Sequence, residues 1–360
     1  MKIAIFHNYM DNIGGAEIVG LTLARELNAD LYTTNIDQEK IDKMGFPDIK
    51  PISIGRVPIN APLRQQMALW KFRRLNLGKK YDFYIIDGDW AMAGAVHNKP
   101  NMWYVHSPIR EIWDAYKFTR EHMVTPWKRP LFDVWVHYNR YLNKKYSRHV
   151  TQFVCNSENT RKRVKKYLDK DAIVINPPVD TSKFHYKSHK NYWLSVNRLI
   201  THKRVDMQIK AFSKMPNEKL IIVGSYEPSK HFIQYKKYIQ SIKPPNVEIK
   251  HWVDFEDLID LYAHCKGLIT TAMDEDFGMT PIEAMTSGKP VIATNEGGYR
   301  ETIINGTTGK LIDDINEEKL IGAVTKVGEN LEIYKIPCIE QAKKYDTKFF
   351  IEKMFKQINT

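Results

Sequence analysis

The chain has 360 residues, 43% of them hydrophobic, which suits roughly two packed domains of about 100–200 residues each. No apolar run reaches the ~18 residues that a membrane-crossing helix needs, and three scattered cysteines (Cys155, Cys265, Cys338) without CxxC or Cys-His spacing argue against a disulfide framework and a zinc site. Lysine and arginine number 54 against 42 acids, a net charge of +12 that points to an anionic partner: nucleic acid, a phosphorylated ligand or an acidic membrane.

MKIAIF is too short an apolar run for a signal peptide, so folding is expected to begin at residue 1 and the protein to stay in the cytoplasm. KIAIFH (2–7) reads as a buried parallel strand, AEIVGLTLARELNA as a helix and ADLYTT as the next strand. Between the first two, Gly14-Gly15 either lets backbone approach a phosphate closely or forms a tight strand-to-helix turn; it is not GxGxxG. Further strands are expected at YDFYIID (81–87), NMWYVHS (101–107), QFVCNS (152–157) and AIVINPP (172–178), and their alternation with helices predicts a doubly wound parallel sheet. His106 closes one of these strands, where an imidazole can donate a hydrogen bond or move a proton near neutral pH, or be a satisfied structural residue. Arg110 and Trp113 follow on the same loop.

NPPVDTSKFHYKSHKNY (176–192) reads as a linker, after which the rhythm restarts with YWLSVNR (192–198), the helix VDMQIKAFSKM, and strands KLIIVG (219–224), VEIKHW (247–252), KGLITTA (266–272), PVIAT (290–294) and GKLI (309–312). Two such halves predict a cleft between the carboxyl ends of two sheets, a favoured place for a ligand. Arg198 and Lys203 flank the loop LITH; two cations there suit a diphosphate, the plainer alternative being an exposed basic loop. In MDEDFGMTPIE (273–283), Thr280 reads as a helix N-cap, Pro281 as the first helical residue and Glu283 as the return partner of a capping box, whereas Glu275 has no evident structural job. Gly297-Gly298 permits close backbone approach, and QAKKYDTKFFIEKMFKQI closes the chain as an amphipathic segment.

In order along the chain, GGAE (14–17), HSPIREIWD (106–114), CNSENTRKRV (155–164), NPPVDTSKF (176–184), NRLITHKRVDMQIKAF (197–212), EDFGMTPIEAM (275–285), GKPVIATNEGG (288–298) and NGTTGKLI (305–312) closely resemble glycosyltransferase family 4, over nearly the whole chain. The resemblance implies the α/β GT-B fold of two Rossmann-like domains with a cleft between them. Residues 1–178 would bind the acceptor, 179–340 the nucleotide-sugar, and a C-terminal helix over 341–360 would return toward the N-terminal domain. It further implies that Glu275 contacts the donor sugar, that Glu283 holds the ribose hydroxyls, and that Arg198 and Lys203 hold the diphosphate. His106 would sit near the reacting carbon, Gly14-Gly15 would border the donor, and the amides around Phe277-Gly278-Met279-Thr280 would bind sugar hydroxyls and phosphate.

By the same resemblance the enzyme is a retaining hexosyltransferase that needs no metal or other cofactor. Asp87-Gly88-Asp89 is the nearest thing to a DxD metal pair, but it lies in the N-terminal half, away from the expected donor site, so no metal is assigned. No carboxylate stands out as a nucleophile for double displacement, so front-face retention is expected, the leaving phosphate accepting the acceptor's proton. HSPIREIWD resembles a branch that includes mannosyltransferases, which makes GDP-mannose the first expected donor and a UDP-sugar the second; HWVDFEDL (251–258) should border the base.

The positive charge concentrates in LRQQMALWKFRRLNLGKK (63–80) and WKRPLFDVWVHYNRYLNKKYSRHV (127–150), where it is mixed with aromatic residues. Such a mixture on helices suits an anionic membrane surface; the alternative is two ordinary helices with their aromatics in the core. The expected acceptor or membrane contacts are Trp70, Arg73, Arg74, Arg110, Trp127, Lys128 and Arg129, with a lipid-linked or other saccharide as acceptor and a peripheral place on the cytoplasmic face of the membrane. Two other readings compete: a GT-B sugar-nucleotide epimerase, and a basic nucleic-acid-binding protein. No nucleic-acid motif supports the latter, and no nucleic-acid partner is expected.

Overall fold

A computed structural model describes residues 1–224, 230–251 and 253–360. Trp252, at the expected end of VEIKHW and inside the expected base-bordering loop, lies outside the described residues. The chain divides into two compact units, residues 1–176 with 351–360, and residues 177–350.

The first unit contains β1 (Ile3–Phe6), α1 (Gly15–Glu26), β2 (Asp30–Thr33), α2 (Gln38–Lys43), β3 (Ile52–Ser53), α3 (Leu63–Arg74), β4 (Phe83–Ile86), β5 (Asn101–Val105), α4 (Tyr116–Phe118), α5 (Arg129–Ser147), β6 (Gln152–Cys155), α6 (Glu158–Leu168) and β7 (Ile173–Val174). Its seven strands pair in parallel in the order β3-β2-β1-β4-β5-β6-β7. Strands β1, β4 and β5 are buried along their whole length, which is why they read as unbroken apolar runs. Phe6, Phe72, Tyr84 and Trp103 lie in the core between this sheet and its helices. Cys155, like Cys265 and Cys338 in the second unit, is buried and outside any disulfide.

The second unit contains β8 (Trp193–Val196), α7 (Val205–Ser213), β9 (Leu220–Val223), α8 (Lys230–Ser241), β10 (Val247–Lys250), α9 (Phe255–His264), β11 (Leu268–Thr270), α10 (Met279–Thr286), β12 (Val291–Thr294), α11 (Tyr299–Thr302), β13 (Gly309–Ile312), α12 (Glu317–Gly328) and α13 (Glu332–Lys343). Its six parallel strands run β10-β9-β8-β11-β12-β13, the same winding as in the first unit. The closing segment is two helices rather than one. After α13 the chain pairs with the former linker, Val179 N–H donating to Tyr345 O and Thr347 N–H to Val179 O. Asp346 then accepts from Lys348 N–H at 3.0 Å and opens α14 (Thr347–Ile358).

Candidate active site

In each sheet the winding reverses beside its first strand: β1 lies between β2 and β4, and β8 between β9 and β11. Open α/β sheets bind ligands outside the carboxyl ends of their strands at that switch point. Both switch points here carry charged side chains.

In the second unit, β8 leads through Asn197 and Arg198 into a short turn, Thr201–Lys203, and β11 leads into the loop 271–278. The two loops are laced together. Thr271 Oγ1 donates to Lys203 O at 2.7 Å, Met273 N–H donates to His202 O at 2.8 Å, and Lys203 Nζ donates to Glu275 Oε2 at 2.5 Å. Glu275 therefore has a partner that its sequence neighbours do not reveal, and the pair is mostly shielded from solvent. Arg204 clamps the same loop through Thr271 O and Ala272 O and reaches Glu296 at 2.9 Å, and Glu296 in turn accepts from Asp274 N–H. Arg198 stands exposed on the β8 loop.

Gly297-Gly298 does approach backbone closely, and the backbone it approaches is this loop. Gly298 N–H donates to Glu275 O at 2.8 Å, and a Cβ on Gly297 would lie 2.2 Å from that same oxygen. Phe277 is buried beneath the loop against Tyr345.

The expected capping box is not formed. Helix α10 starts at Met279, with Gly278 as N-cap at φ 92°, so Thr280 and Pro281 lie inside the first turn and Glu283 is past it. Left-handed backbone at Gly278, beside the Tyr299 ring, sets this start in place of a side-chain cap. The first amides of α10 receive no side-chain cap from the N-cap residue, which is glycine. Glu283 Oε2 instead accepts from the buried Tyr262 hydroxyl at 2.6 Å. Burial raises the Glu283 carboxyl above its usual range, and the Tyr262 bond counters this only in part. Glu283→Ala would leave the Tyr262 hydroxyl buried without its acceptor, so it should lower stability by about 1–3 kcal/mol. Glu283→Gln, which can still accept, should not; thermal melts of the two variants check this.

In the first unit, β1, β4 and β5 end side by side in His7, Asp87 and His106. Asp87 is fully buried. Its Oδ2 lies 2.8 Å from His7 Nδ1 and its Oδ1 lies 2.7 Å from His106 Nε2. Burial alone would raise the Asp87 carboxyl, but the two imidazoles, His106 foremost, hold it below the usual carboxylate range. Burial likewise would lower His7, yet its bond to Asp87 and the Asp87 charge raise it. Neither His7 nor Asp87 was expected to have a role; the available signal was a titratable residue at the end of each of three strands. Asp89, the other acid of the DGD run, accepts from Asn8 at 2.6 Å and Trp90 N–H at 2.8 Å.

The loop after His106 is pinned by the run CNSENTRKRV. Asn156 and Thr160 both donate to His106 O, and Arg163 donates to Ser107 Oγ. Arg110 is engaged by Asp114 at 3.0 Å. Gly14 is the N-cap of α1 in extended backbone that any residue adopts, and Gly15 is the first residue of the helix. A Cβ at Gly14 would meet only the Glu17 carboxylate, which fits the strand-to-helix turn.

The basic-aromatic segments sort by face. On α3, Leu69 and Phe72 are buried, Trp70 and Arg74 are exposed, and Arg73 bonds His97. Along α5, Phe132 and Trp135 stack on each other and pack toward the core, as the alternative of ordinary helices with aromatics in the core expects for these two. Trp127, Leu131, Val134, Tyr138 and Tyr141, spaced four and three residues apart, point outward instead, the first three being 72%, 69% and 70% exposed. Lys128 lies over the Trp127 ring, and Arg129 donates to Glu121 O. No helix among the described residues is long and apolar enough to cross a membrane.

Two doubly wound parallel units, each with its own switch point, make up the GT-B fold. HepE from Anabaena, crystallised in complex with UDP and glucose, shares that fold with a TM-score of 0.79 over 100% of both chains at 17% identity. The family model "Glycosyltransferase Family 4" matches residues 13–183, and "Glycosyl transferases group 1" matches residues 180–345. The chain belongs to glycosyltransferase family 4. Similar relatives include the α-1,3/1,6-mannosyltransferase ALG2 of Candida glabrata, 26% identical over 93% of this chain and 87% of that protein. Another is a probable sucrose-phosphate synthase of Thermosipho melanesiensis, 25% identical over 89% of this chain and 84% of that one.

Proposed function

We propose that the protein is a retaining, metal-independent hexosyltransferase that moves mannose from GDP-mannose to a lipid-linked saccharide in cell-envelope or glycoprotein-glycan assembly. The observation that carries this reading is the Lys203–Glu275 pair at the β8/β11 switch point, in the loop that ends at the uncapped start of α10. A diphosphate leaving group gains negative charge as the glycosidic bond breaks. Lys203, Arg198 and the amides of Gly278, Met279 and Thr280 stabilise that gain more than the ground state. A carboxylate repels phosphate, so Glu275 turns to the sugar hydroxyls, with Lys203 held between the two. Glu283 keeps one carboxylate oxygen, besides the one taken by Tyr262, for a ribose hydroxyl. His106 acts on the donor sugar near the reacting carbon. The acceptor hydroxyl bonds the anomeric carbon on the face from which the phosphate departs, and the departing phosphate oxygen takes its proton.

Relatives described as mannosyltransferases favour mannose. A UDP-sugar is the second reading, favoured by the UDP and glucose held by HepE. Turnover assays with GDP-mannose, UDP-glucose and UDP-GlcNAc in EDTA, with the anomeric configuration of the product read by NMR, test the reading. Transfer with retention in EDTA is expected, and inversion or a strict need for added metal would overturn those parts of it.

The same proposal places the enzyme peripherally on the cytoplasmic face of an anionic membrane, with α5 lying in the interface. Its outward apolar stripe is framed by cations, since residues 117–150 hold eight lysines and arginines against two carboxylates. Like charge also disfavours a second copy of the chain on that stripe. Leu131→Glu with Val134→Glu should abolish co-sedimentation with phosphatidylglycerol vesicles at low salt and leave the melting temperature unchanged, because both side chains face solvent.

A further inference from the structure

We infer that Asp87 and His7 are positioning residues for His106: the buried carboxylate holds hydrogen on His106 Nε2 and turns Nδ1 toward the ligand at the first sheet's switch point. This rests on the reading of His106 as a group that acts at the donor sugar.

The geometry leaves little freedom. An ionised carboxylate only accepts, so the ring nitrogens facing it, His7 Nδ1 at 2.8 Å and His106 Nε2 at 2.7 Å, both carry hydrogen. One oxygen is taken by each ring, and neither is left for solvent, since Asp87 is fully buried. A buried carboxylate is costly unless it is paired, and His7, itself buried, supplies the compensating partner. The three come together through strand order: Phe6 pairs with Ile86, which sets His7 beside Asp87, and Ile86 pairs with Trp103, so Asp87 is level with Tyr104 and His106 stands two residues further along β5, on the same side as Tyr104. Helix α1 closes over them at Gly20, where a Cβ would fall 2.6 Å from Asp87 Oδ2 and 3.4 Å from His7 Nδ1. The site admits nothing larger than glycine without moving the carboxylate.

His106 is fixed from its other sides as well. Its carbonyl oxygen accepts from Asn156 at 2.9 Å and Thr160 at 3.1 Å, and its ring meets Tyr104 edge to face. Among the described residues Nδ1 forms no hydrogen bond, and the side chain keeps 22% exposure, so this nitrogen is the one presented outward. A histidine serving only to tie strands together has no need to keep one nitrogen open. The second ring nitrogen is set by the bond the first one makes.

The test is nitrogen-15 NMR of the full-length protein with labelled histidine, His106 being assigned by its loss in His106→Asn, together with steady-state turnover of the best donor. The wild type should show His106 with hydrogen on Nε2. Asp87→Asn places an amide between the rings, and should shift the His106 tautomer and lower kcat roughly 100-fold or more, with the donor KM changed by less than about threefold. Hydrogen on Nδ1 alone in the wild type would overturn the proposal, whether or not the variant folds; so would a folded Asp87→Asn enzyme with kcat within twofold of wild type. An active His106→Ala enzyme would instead remove the catalytic reading of His106. An inactive His106→Ala beside an active Asp87→Asn would remove only the positioning roles.

Discussion

Glu275→Gln should lower kcat by roughly 10²–10³-fold while shifting the melting temperature by less than about 3 °C. The first figure is the usual cost of losing one preorganised group whose interaction grows in the transition state. The second follows from what the side chain does in the resting protein. It pairs with Lys203, mostly shielded from solvent, and glutamine keeps both the shape and an oxygen that can accept from the ammonium, so the Lys203 hydrogen bond survives the substitution. The loop itself is held by other means: Arg204 to Thr271 O, Ala272 O and Glu296, and Gly298 N–H to Glu275 O. Parallel kinetics and thermal melts separate the two effects. A loss of activity matched by a fall in melting temperature would reduce Glu275 to a strut for its loop.

Gly298→Ala should do the reverse and damage both properties. A Cβ there would lie 2.4 Å from Phe277 Cα, 2.7 Å from Phe277 O and 2.8 Å from Asp276 O, all backbone or tightly held atoms. No side chain can swing aside, so the loop 274–278 must move. Overpacking of this kind costs about 1–3 kcal/mol. The moved loop also carries Glu275 and the N-cap of α10, so donor turnover should fall by at least tenfold, because displacing a positioning element by about 1 Å is worth up to 10²-fold. Melting temperature and donor kinetics of the purified variant check both parts. The backbone of Gly298 is helical-like at φ −67°, so space rather than conformation makes glycine necessary.

Much of the architecture was legible because buried parallel strands are continuous apolar runs. IAIF, FYII, WLSV and LIIV each became a strand within a residue or two of the expected span. Strand β3 was not legible: it has two residues, Ile52 and Ser53, both exposed, and leaves no periodic trace. The start of α10 was misplaced because TPIE has the local form of a capping box, whereas the actual start depends on Gly278 packing against Tyr299, 21 residues away in sequence. Local pattern lost there to a tertiary contact. Asp87 drew attention only as part of a DGD run, since its partners lie 80 and 19 residues distant and meet it only through the strand order β1-β4-β5. The outward stripe on α5 was in principle readable. Residues 127, 131, 134, 138 and 141 fall on one side of a 3.6-residue helix and the buried 136, 139, 142, 143 and 146 on the other, but a tally of aromatic and basic residues without their angular positions blended the two faces.

The proposed diphosphate site is Lys203 together with the uncapped start of α10. Its most direct test is the binding of GDP and UDP, measured by isothermal calorimetry in EDTA, to the wild type and to Lys203→Met. One of the two diphosphates should bind the wild type, and the variant should lose at least tenfold in affinity, about 1.4 kcal/mol, as expected for one charge-assisted phosphate contact. Equal binding by both proteins, or no binding of either diphosphate to the wild type, would contradict the account.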